Sequence, residues 1–89
     1  MTAFVYLLRC ADGSLYCGWS TDPTRRWRQH QAGSASRYTR SRRPVELVWT
    51  SQCSGRSEAM RLEARIKRLS TAGKRALIEA GGSEATPPP

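Results

Sequence analysis

Five residues of types used in phosphodiester cleavage recur at spacings that could bring them together. They are two tyrosines ten residues apart, an arginine and a histidine four residues apart, and one isolated acid: Tyr6, Tyr16, Arg26, His30 and Glu63. Cutting a phosphodiester needs an activated nucleophile, a cation beside the phosphoryl oxygens and help for the leaving oxygen. A tyrosine phenol could deprotonate the attacking water, and Arg26 could bind the phosphate through two parallel hydrogen bonds. We therefore interpret these residues as one candidate catalytic site.

Glu63 decides which metal scheme the chain could support. The sequence lacks the cluster of carboxylates that two-metal nucleases use, and Glu63 is the only acid between Glu58 and Glu79. Mg²⁺ commonly binds through one or two carboxylates, with water and substrate phosphate at the remaining positions. We therefore expect Glu63 to hold one Mg²⁺ or Mn²⁺ ion.

Each of the five residues also has a purely structural interpretation. The tyrosines could be half-buried strand residues, and Arg26 could be one more surface arginine. His30 could lie near a helix C-terminus and interact with the helix dipole. Glu63 could form an ion pair with Lys67 one helical turn later, worth only about 0.2–0.5 kcal/mol. Only the combination of all five favours a catalytic site.

Length and charge restrict the class of protein. Eighty-nine residues suffice for one small domain, which we assign to residues 1–80, followed by a disordered tail at 81–89 without an apolar face. Fifteen basic residues against seven acidic ones give a net charge of +8. This charge indicates a polyanionic partner, with nucleic acid first and an anionic membrane surface second. Thirteen of the basic residues are Arg, which suits phosphate, although a GC-rich genome would also enrich Arg.

The cysteines indicate a reducing compartment rather than a disulfide scaffold. Cys10, Cys17 and Cys53 are odd in number, and the chain shows no signal peptide and no stretch of membrane-spanning length. We therefore expect a soluble, cytoplasmic protein with free thiols. A zinc site built from these cysteines and His30 is an alternative, but the spacings match no common structural zinc pattern.

Two strands and a tight turn are predicted to position the tyrosines. Residues 4–10 and 15–20 alternate and are rich in aromatic and aliphatic side chains, and Asp12-Gly13 lies between them. This pattern is typical of a β-hairpin.

The register of this hairpin determines whether the two phenols meet. A two-residue turn would put Tyr6 and Tyr16 on opposite faces, whereas a three-residue loop with a left-handed Gly13 puts both on one face. The longer loop also places Gly18 opposite Tyr6, with room for a phosphate to approach the backbone. It gathers an apolar set on the other face: Val5, Leu7, Cys17 and Trp19. We therefore expect the longer loop.

The next segment predicts a short helix that carries Arg26 and His30 on one face. Asp22-Pro23 supplies a good N-cap and first helical residue, and Gly33 a good stop. Four basic side chains and only one large hydrophobic residue lie between these ends. A helix this polar is not built for core packing alone.

Residues 33–44 are predicted to be a flexible basic loop with four arginines and one tyrosine. Such a composition suits electrostatic and stacking contacts with a nucleic-acid strand, and slightly favours a single-stranded or splayed one. A solvated loop without a fixed partner is the alternative. With one arginine of the preceding helix, the candidate nucleic-acid-binding residues are Arg25, Arg37, Tyr38, Arg40, Arg42 and Arg43.

The second half of the chain predicts one more strand and two more helices. The strand spans 45–52, one helix runs from a cap at Ser57 to about Leu69, and another runs from Ser70 or the next residue to about Ala80. The apolar stripe of the first of these helices is Ala59, Leu62, Ile66 and Leu69.

These motifs resemble those of the GIY-YIG nuclease family. The matching residues are Val5-Tyr6, Tyr16-Cys17-Gly18, Arg26, Trp27, His30 and Glu63, within residues 4–69. The first motif is degenerate, with Phe4-Val5-Tyr6 in place of Gly-Ile-Tyr. The segments YLLRCADGSLYCG, RYTRSRRPVELV and RSEAMRLEARIKRL are similar to the small stand-alone bacterial members of that family.

The resemblance implies an α+β fold with a small three-stranded antiparallel sheet flanked by helices, and both tyrosines in one cleft. It implies one divalent metal ion on Glu63, an Arg26 that contacts the scissile phosphate, and proton transfer assisted by a motif tyrosine or by His30. Many family members have an Asn after the metal glutamate, whereas this chain has no Asn. We expect no appended DNA-binding or zinc domain, so targeting would come from the domain itself or from a partner protein.

We therefore expect a metal-dependent endonuclease acting on DNA, in repair, recombination or processing, and the sequence leaves RNA open as an alternative substrate. The alternative is a nucleic-acid-binding module that keeps the fold and the basic surface without cleavage. The isolated Glu63 favours the enzyme, since binding alone would not require it. A membrane role is disfavoured because the basic residues lack a large apolar face beside them.

Overall fold

Three antiparallel strands form one sheet in the computed structural model of the protein, which describes residues 2–81. The elements in chain order are β1 (Ala3–Arg9), β2 (Leu15–Ser20), α1 (Pro23–Ala32), α2 (Arg37–Arg40), β3 (Glu46–Cys53), α3 (Arg56–Lys67) and α4 (Thr71–Ala80). The sheet order is β2-β1-β3, so the first strand is central and the other two are edges. The expected α+β fold, a three-stranded antiparallel sheet flanked by helices, is confirmed.

The β1–β2 hairpin has the register that the longer loop predicts. Tyr6 lies opposite Gly18, and Leu8 lies opposite Tyr16. Gly13 in the turn has a φ of 86°, a left-handed conformation that costs other residues free energy. Both phenols therefore lie on the same face of the sheet.

The sheet separates two apolar cores. One face packs against α3 through a buried cluster: Ala3, Val5, Leu7, Cys17, Trp49, Cys53, Ala59 and Ile66. The other face buries Tyr6, Leu8, Cys10 and Val45, with the half-buried Trp27 of α1 against them. The Trp27 indole Nε1 donates to the Val45 carbonyl at 2.8 Å, which ties α1 to the start of β3. Because β1 is covered on both sides, it forms the centre of the protein.

The helices α1 and α4 begin and end as predicted. The Asp22 carboxylate accepts from the Arg25 backbone N–H at 3.1 Å, and α1 ends at Gly33, which has a φ of 85°. The Ser70 hydroxyl accepts from the Gly73 N–H at 3.1 Å and starts α4. No helix within residues 2–81 is long and apolar enough to cross a membrane.

The predicted loop at 33–44 is wrong in part, because its centre forms the helical turn α2. The Ser36 hydroxyl accepts from the N–H groups of Tyr38 at 3.1 Å and Thr39 at 3.4 Å. These bonds stabilise the first turn in the way an N-cap does.

The predicted start of α3 at Ser57 is also wrong. Gly55 is the N-cap, and the Glu58 carboxylate accepts from the N–H and the hydroxyl of Ser54 at 2.6 and 2.8 Å. The two bonds that Ser54 donates to this acid of the first turn therefore stand in place of a serine cap. At the other end, Leu69 lies beyond α3 and is 39% exposed, so it does not extend the apolar stripe.

The predicted domain boundary coincides with the end of α4 at Ala80. Gly81, the first residue of the predicted tail, is the last residue that the structure describes, and the rest of that tail lies outside the described residues.

Candidate catalytic site on the hairpin face

A buried tyrosine–histidine pair lies at the centre of the candidate site. β1 supplies Tyr6, which is 1% exposed, and α1 supplies His30, which is fully buried. The Tyr6 hydroxyl and the His30 Nε2 are 2.9 Å apart. The hairpin register and the i, i+4 face of α1 thus bring together two residues that the sequence singled out.

The second ring nitrogen of His30 contacts a residue that the sequence analysis missed. His30 Nδ1 lies 2.7 Å from the hydroxyl Oγ1 of Thr39, which is fully buried. Thr39 belongs to α2, the turn that was predicted to be loop. The capping serine three residues earlier was the available signal for this turn, but the contact itself is a tertiary one.

Tyr16 forms the accessible side of the same cluster. Its ring is half-buried, and its centroid lies 5.0 Å from that of His30 in an edge-to-face arrangement. On the outer side, the Tyr38 ring lies 5.8 Å from it. His30 is therefore the common neighbour of Tyr6 and Tyr16, which are brought together as expected.

Gly18 is required by Tyr6 rather than by a ligand. A Cβ atom on Gly18 would lie 2.5 Å from the Tyr6 hydroxyl oxygen and 2.7 Å from its Cζ. The space left by the missing side chain is therefore filled by the phenol, and the expectation that a phosphate would use it is wrong.

Burial controls the protonation of the Tyr6–His30 pair. Burial raises the pKa of Tyr6 well above its usual value, the nearby Tyr16 adds to the increase, and the Arg26 guanidinium offsets part of it. Burial and, secondarily, the charge of Arg26 lower the pKa of His30 from 6.5 to about 4. At neutral pH, His30 is therefore a neutral imidazole beside a protonated phenol.

Arg26 is the exposed cation nearest to this pair. It lies one helical turn before His30, and its Nη1 donates to the Gln29 side chain at 3.0 Å. Together with Arg25, it lines a small surface cleft between the end of β2 and α1. Its remaining N–H groups are the donors that a phosphate at this cleft would meet.

Glu63 approaches the hairpin from the opposite face. α3 packs beneath β2, and Glu63 lies near Cys17, whose pKa is raised to about 12 by burial and by this carboxylate. The Glu63 side chain is 20% exposed and pairs with Lys67 at 3.5 Å, as the structural interpretation predicted. Glu63 is therefore close to the strand that carries Tyr16 but does not join the aromatic cluster.

The donors for a metal ion consist of this single carboxylate. Within the described part of the chain, no group of three or more His, Cys, Asp or Glu side chains could hold an ion. A hard oxygen donor that is partly exposed fits Mg²⁺ or Mn²⁺ completed by water and phosphate. The zinc alternative does not fit, because Cys10 and Cys17 lie in different cores.

The basic segment divides into structural and free arginines. The Arg42 guanidinium stacks 3.9 Å above the Tyr38 ring and pairs with Asp12 at 3.1 Å, which ties the hairpin turn to α2. Arg43 donates to the Arg40 carbonyl at 3.0 Å. The structure thus assigns Arg42 a structural contact that the sequence analysis did not foresee. The candidate arginines that are exposed and form no ion pair among residues 2–81 are Arg25, Arg37, Arg40 and Arg43, and of these Arg43 is bonded to backbone carbonyls.

The sheet order, the hairpin tyrosines and the arginine–histidine helix together define a class of protein. The family model of the GIY-YIG catalytic domain matches residues 2–76. The chain therefore belongs to the GIY-YIG family, which is a family of nucleases.

Its relatives are small proteins of one group in bacteria and archaea. The chain is 51% identical over 74 residues to a UPF0213 protein of Halobacterium salinarum, covering 83% of this chain and 96% of the relative. It is 50% identical over 76 residues to a UPF0213 protein of Vibrio cholerae serotype O1, covering 84% and 75%. The solution NMR structure of a UPF0213 protein from Bacillus halodurans superimposes with a TM-score of 0.60 at 42% identity, over 93% and 88% of the two chains.

Proposed function

We propose that this protein is a divalent-metal-dependent endonuclease that hydrolyses phosphodiester bonds in DNA. The observation that carries the proposal is the half-exposed Tyr16, supported from behind by the buried Tyr6–His30 pair. The exposed guanidinium of Arg26 lies beside the same pair. A phenol, an arginine and a rigid support are the parts that positioning and charge stabilisation need.

The burial of the two tyrosines assigns them different roles. Tyr6 is buried, keeps its proton at neutral pH and has His30 as its hydrogen-bond partner, so it is unsuited to contact water. Tyr16 is the phenol that a substrate can reach, and we assign it the proton transfer from the attacking water. Arg26 binds the phosphate and offsets the charge that develops on it.

We assign the binding of the metal ion to Glu63. This carboxylate would hold one Mg²⁺ or Mn²⁺ ion, which supplies Lewis-acid stabilisation of the phosphoryl oxygens when bound. Glu63 lies on one face of β2, and the Tyr16 side chain projects from the other face. Because β2 is an edge strand, a phosphate lying along its open edge can be reached from both sides.

The exposed side chains around α2 support a preference for single-stranded or branched DNA. Arg37 and Arg40 are exposed, and Tyr38, whose ring carries Arg42 on one face, remains 37% exposed. Unpaired bases can stack on such a side chain, whereas bases of an intact duplex cannot. We further propose that residues 1–80 act as one domain in the cytoplasm, in DNA repair, recombination or processing.

A second candidate is a nucleic-acid-binding module without cleavage. Two observations favour it: Glu63 is engaged by Lys67, and the chain has no Asn where many family members complete the site. In this alternative, the protein binds nucleic acid through the same fold and basic surface but holds no metal ion.

Nicking of labelled single-stranded, duplex and branched DNA with Mg²⁺ or Mn²⁺ tests the proposal. We expect Glu63→Gln and Arg26→Ala each to lower the rate by about 10²-fold or more while DNA binding is retained. The matched controls are Glu79→Gln and Arg28→Ala, which change exposed residues of α4 and α1.

The outcomes separate the two candidates. Tight binding without metal-dependent cleavage of any substrate would support the binding module. Equal activity of Glu63→Gln and Glu79→Gln would remove Glu63 from the site. Cleavage of intact duplex alone would overturn the preference for single-stranded or branched DNA.

A further inference from the structure

Thr39 is a fully buried hydroxyl that the chemistry above does not use. We propose that Thr39 is a positioning residue: it holds His30 in the tautomer protonated at Nδ1, so that Tyr6 must donate its phenolic proton to Nε2. The catalytic consequence of this role rests on the proposed nuclease function, whereas the tautomer itself does not.

In the tautomer protonated at Nδ1, every proton in the row of hydrogen bonds from Tyr6 through His30 to Thr39 has an acceptor. Nδ1–H donates to Thr39 Oγ1 at 2.7 Å, and the Thr39 hydroxyl donates to the Ser36 carbonyl at 3.4 Å. Nε2 is then a free acceptor 2.9 Å from the Tyr6 hydroxyl. The nearby Arg26 guanidinium lowers the pKa of Tyr6 and so offsets part of the effect of burial.

The opposite tautomer leaves a buried proton without a partner. If Nε2 carried the proton, it would donate to the Tyr6 oxygen. Among the hydrogen bonds described for residues 2–81, the Tyr6 O–H would then have no acceptor for its own proton. Thr39 would have to donate to Nδ1, leaving its oxygen 3.4 Å from the Ser36 carbonyl oxygen with no proton between them. A buried donor without an acceptor is unfavourable, so the first tautomer is favoured.

The orientation of Thr39 is set by α2 and not by the site. The Ser36 hydroxyl accepts from the Thr39 N–H, and the Thr39 carbonyl accepts from the Arg42 N–H at 3.0 Å. Both ends of the Thr39 backbone are therefore bonded within the turn. These bonds orient the Thr39 side chain without any contribution from His30, as expected for a group that positions another.

Four groups surround the imidazole, and one of them is charged. Tyr6 faces it from β1, Tyr16 from β2, Arg26 from α1 and Thr39 from α2. A positive neighbour and a buried location keep His30 neutral, which is the state in which the choice of tautomer matters.

Nitrogen-15 NMR of the imidazole tests the tautomer directly, because His30 is the only histidine in the chain. Protonated and unprotonated ring nitrogens have well-separated shifts, so one spectrum identifies the proton-bearing atom. We expect the proton on Nδ1 in the wild type and in Thr39→Ser, which keeps the hydroxyl. In Thr39→Val, which has the same shape but no acceptor, we expect the fraction protonated at Nε2 to rise, because Nδ1–H then lacks its partner. Thr24→Val on α1 is the matched control and should leave the spectrum unchanged.

Cleavage kinetics test the consequence of the tautomer. In Thr39→Val, we expect kcat to fall by at least about tenfold with KM unchanged, and Thr39→Ser to restore it. If Thr39→Val only lowered the stability of the protein, kcat calculated per folded molecule would be unchanged.

Several outcomes would overturn the role of Thr39. A wild-type proton on Nε2 would do so, as would an unchanged tautomer in Thr39→Val or a changed one in Thr39→Ser. If Thr39→Val does not fold, the wild-type and Thr39→Ser spectra decide. A protein that cuts no DNA but shows the expected spectra would refute the nuclease proposal and leave the tautomer assignment in place.

Discussion

His30 makes the stability of this protein depend on pH in a range where few other groups titrate. The perturbation is acidification from pH 7.5 to pH 5. The pKa of His30 is about 4 in the folded protein, against an ordinary value of 6.5. Between these values the unfolded chain binds a proton that the folded chain refuses, so the free energy of unfolding rises with pH through this window.

The size of the effect follows from the two pKa values. The whole difference corresponds to about 3 kcal/mol at 1.36 kcal/mol per pKa unit. At pH 5 the unfolded chain is almost fully protonated and the folded one about a tenth protonated, so about 2 kcal/mol of stability is lost relative to pH 7.5. The contribution is fully present above pH 6.5 and is lost as the pH falls toward 4.

Urea denaturation at half-unit steps from pH 7.5 to 5 measures this loss. The carboxyls with lowered pKa values, Asp12 and Glu58, lose their contributions only at lower pH, so the upper window belongs to His30. His30→Gln is the control, because its stability should be lower but nearly constant over the window. A wild-type stability that is flat from pH 7 to 5, or an NMR titration of His30 near 6.5, would refute the assignment of a buried neutral imidazole.

Two further substitutions test the packing that holds the site. Gly18→Ala should destabilise the protein by about 1–3 kcal/mol in urea denaturation, since its Cβ would lie 2.5 Å from the Tyr6 hydroxyl; an unchanged midpoint would show that the phenol moves freely. Trp27→Phe should cost about 1–2 kcal/mol because the Val45 carbonyl loses its donor, whereas Trp19→Phe, at a position with no such bond described, should cost less; equal losses would contradict the anchoring role.

The sequence predicted local features of the fold well and tertiary contacts poorly. The hairpin register followed from one physical requirement, a single apolar face with Val5 and Leu7 on it, and the structure has that register. The ends of α1 followed equally well, because an Asp–Pro start and a glycine stop act through their own backbone. Capping residues and the alternation of apolar and polar side chains are short-range signals, and they were sufficient to predict the hairpin register and the ends of α1.

The errors arise where a distant residue decides the outcome. Thr39 is buried against the second ring nitrogen of His30, nine residues earlier, and nothing in the basic segment around Thr39 signals this contact. Gly18 resembles a space for a ligand until the Tyr6 ring is placed across the strand pair. Ser57 is a good cap by type, but Glu58 bonds back to Ser54 and starts α3 earlier. Each of these choices is made by a partner that the local pattern does not contain.

The central position of β1 affects the order in which the protein can fold. β1 pairs with β2 across short separations, but Ala3 pairs with Cys53, fifty residues later. Bringing β3 to β1 closes a longer stretch of chain than forming the hairpin does. This closure costs about 1 kcal/mol more in chain entropy and is expected to be slower. Tyr6, Tyr16, His30 and Thr39 all belong to the first 40 residues, so their half of the site can assemble through short-range closures. Glu63 lies on α3, which packs against the other face of the hairpin, so its approach to the hairpin requires closures over longer separations.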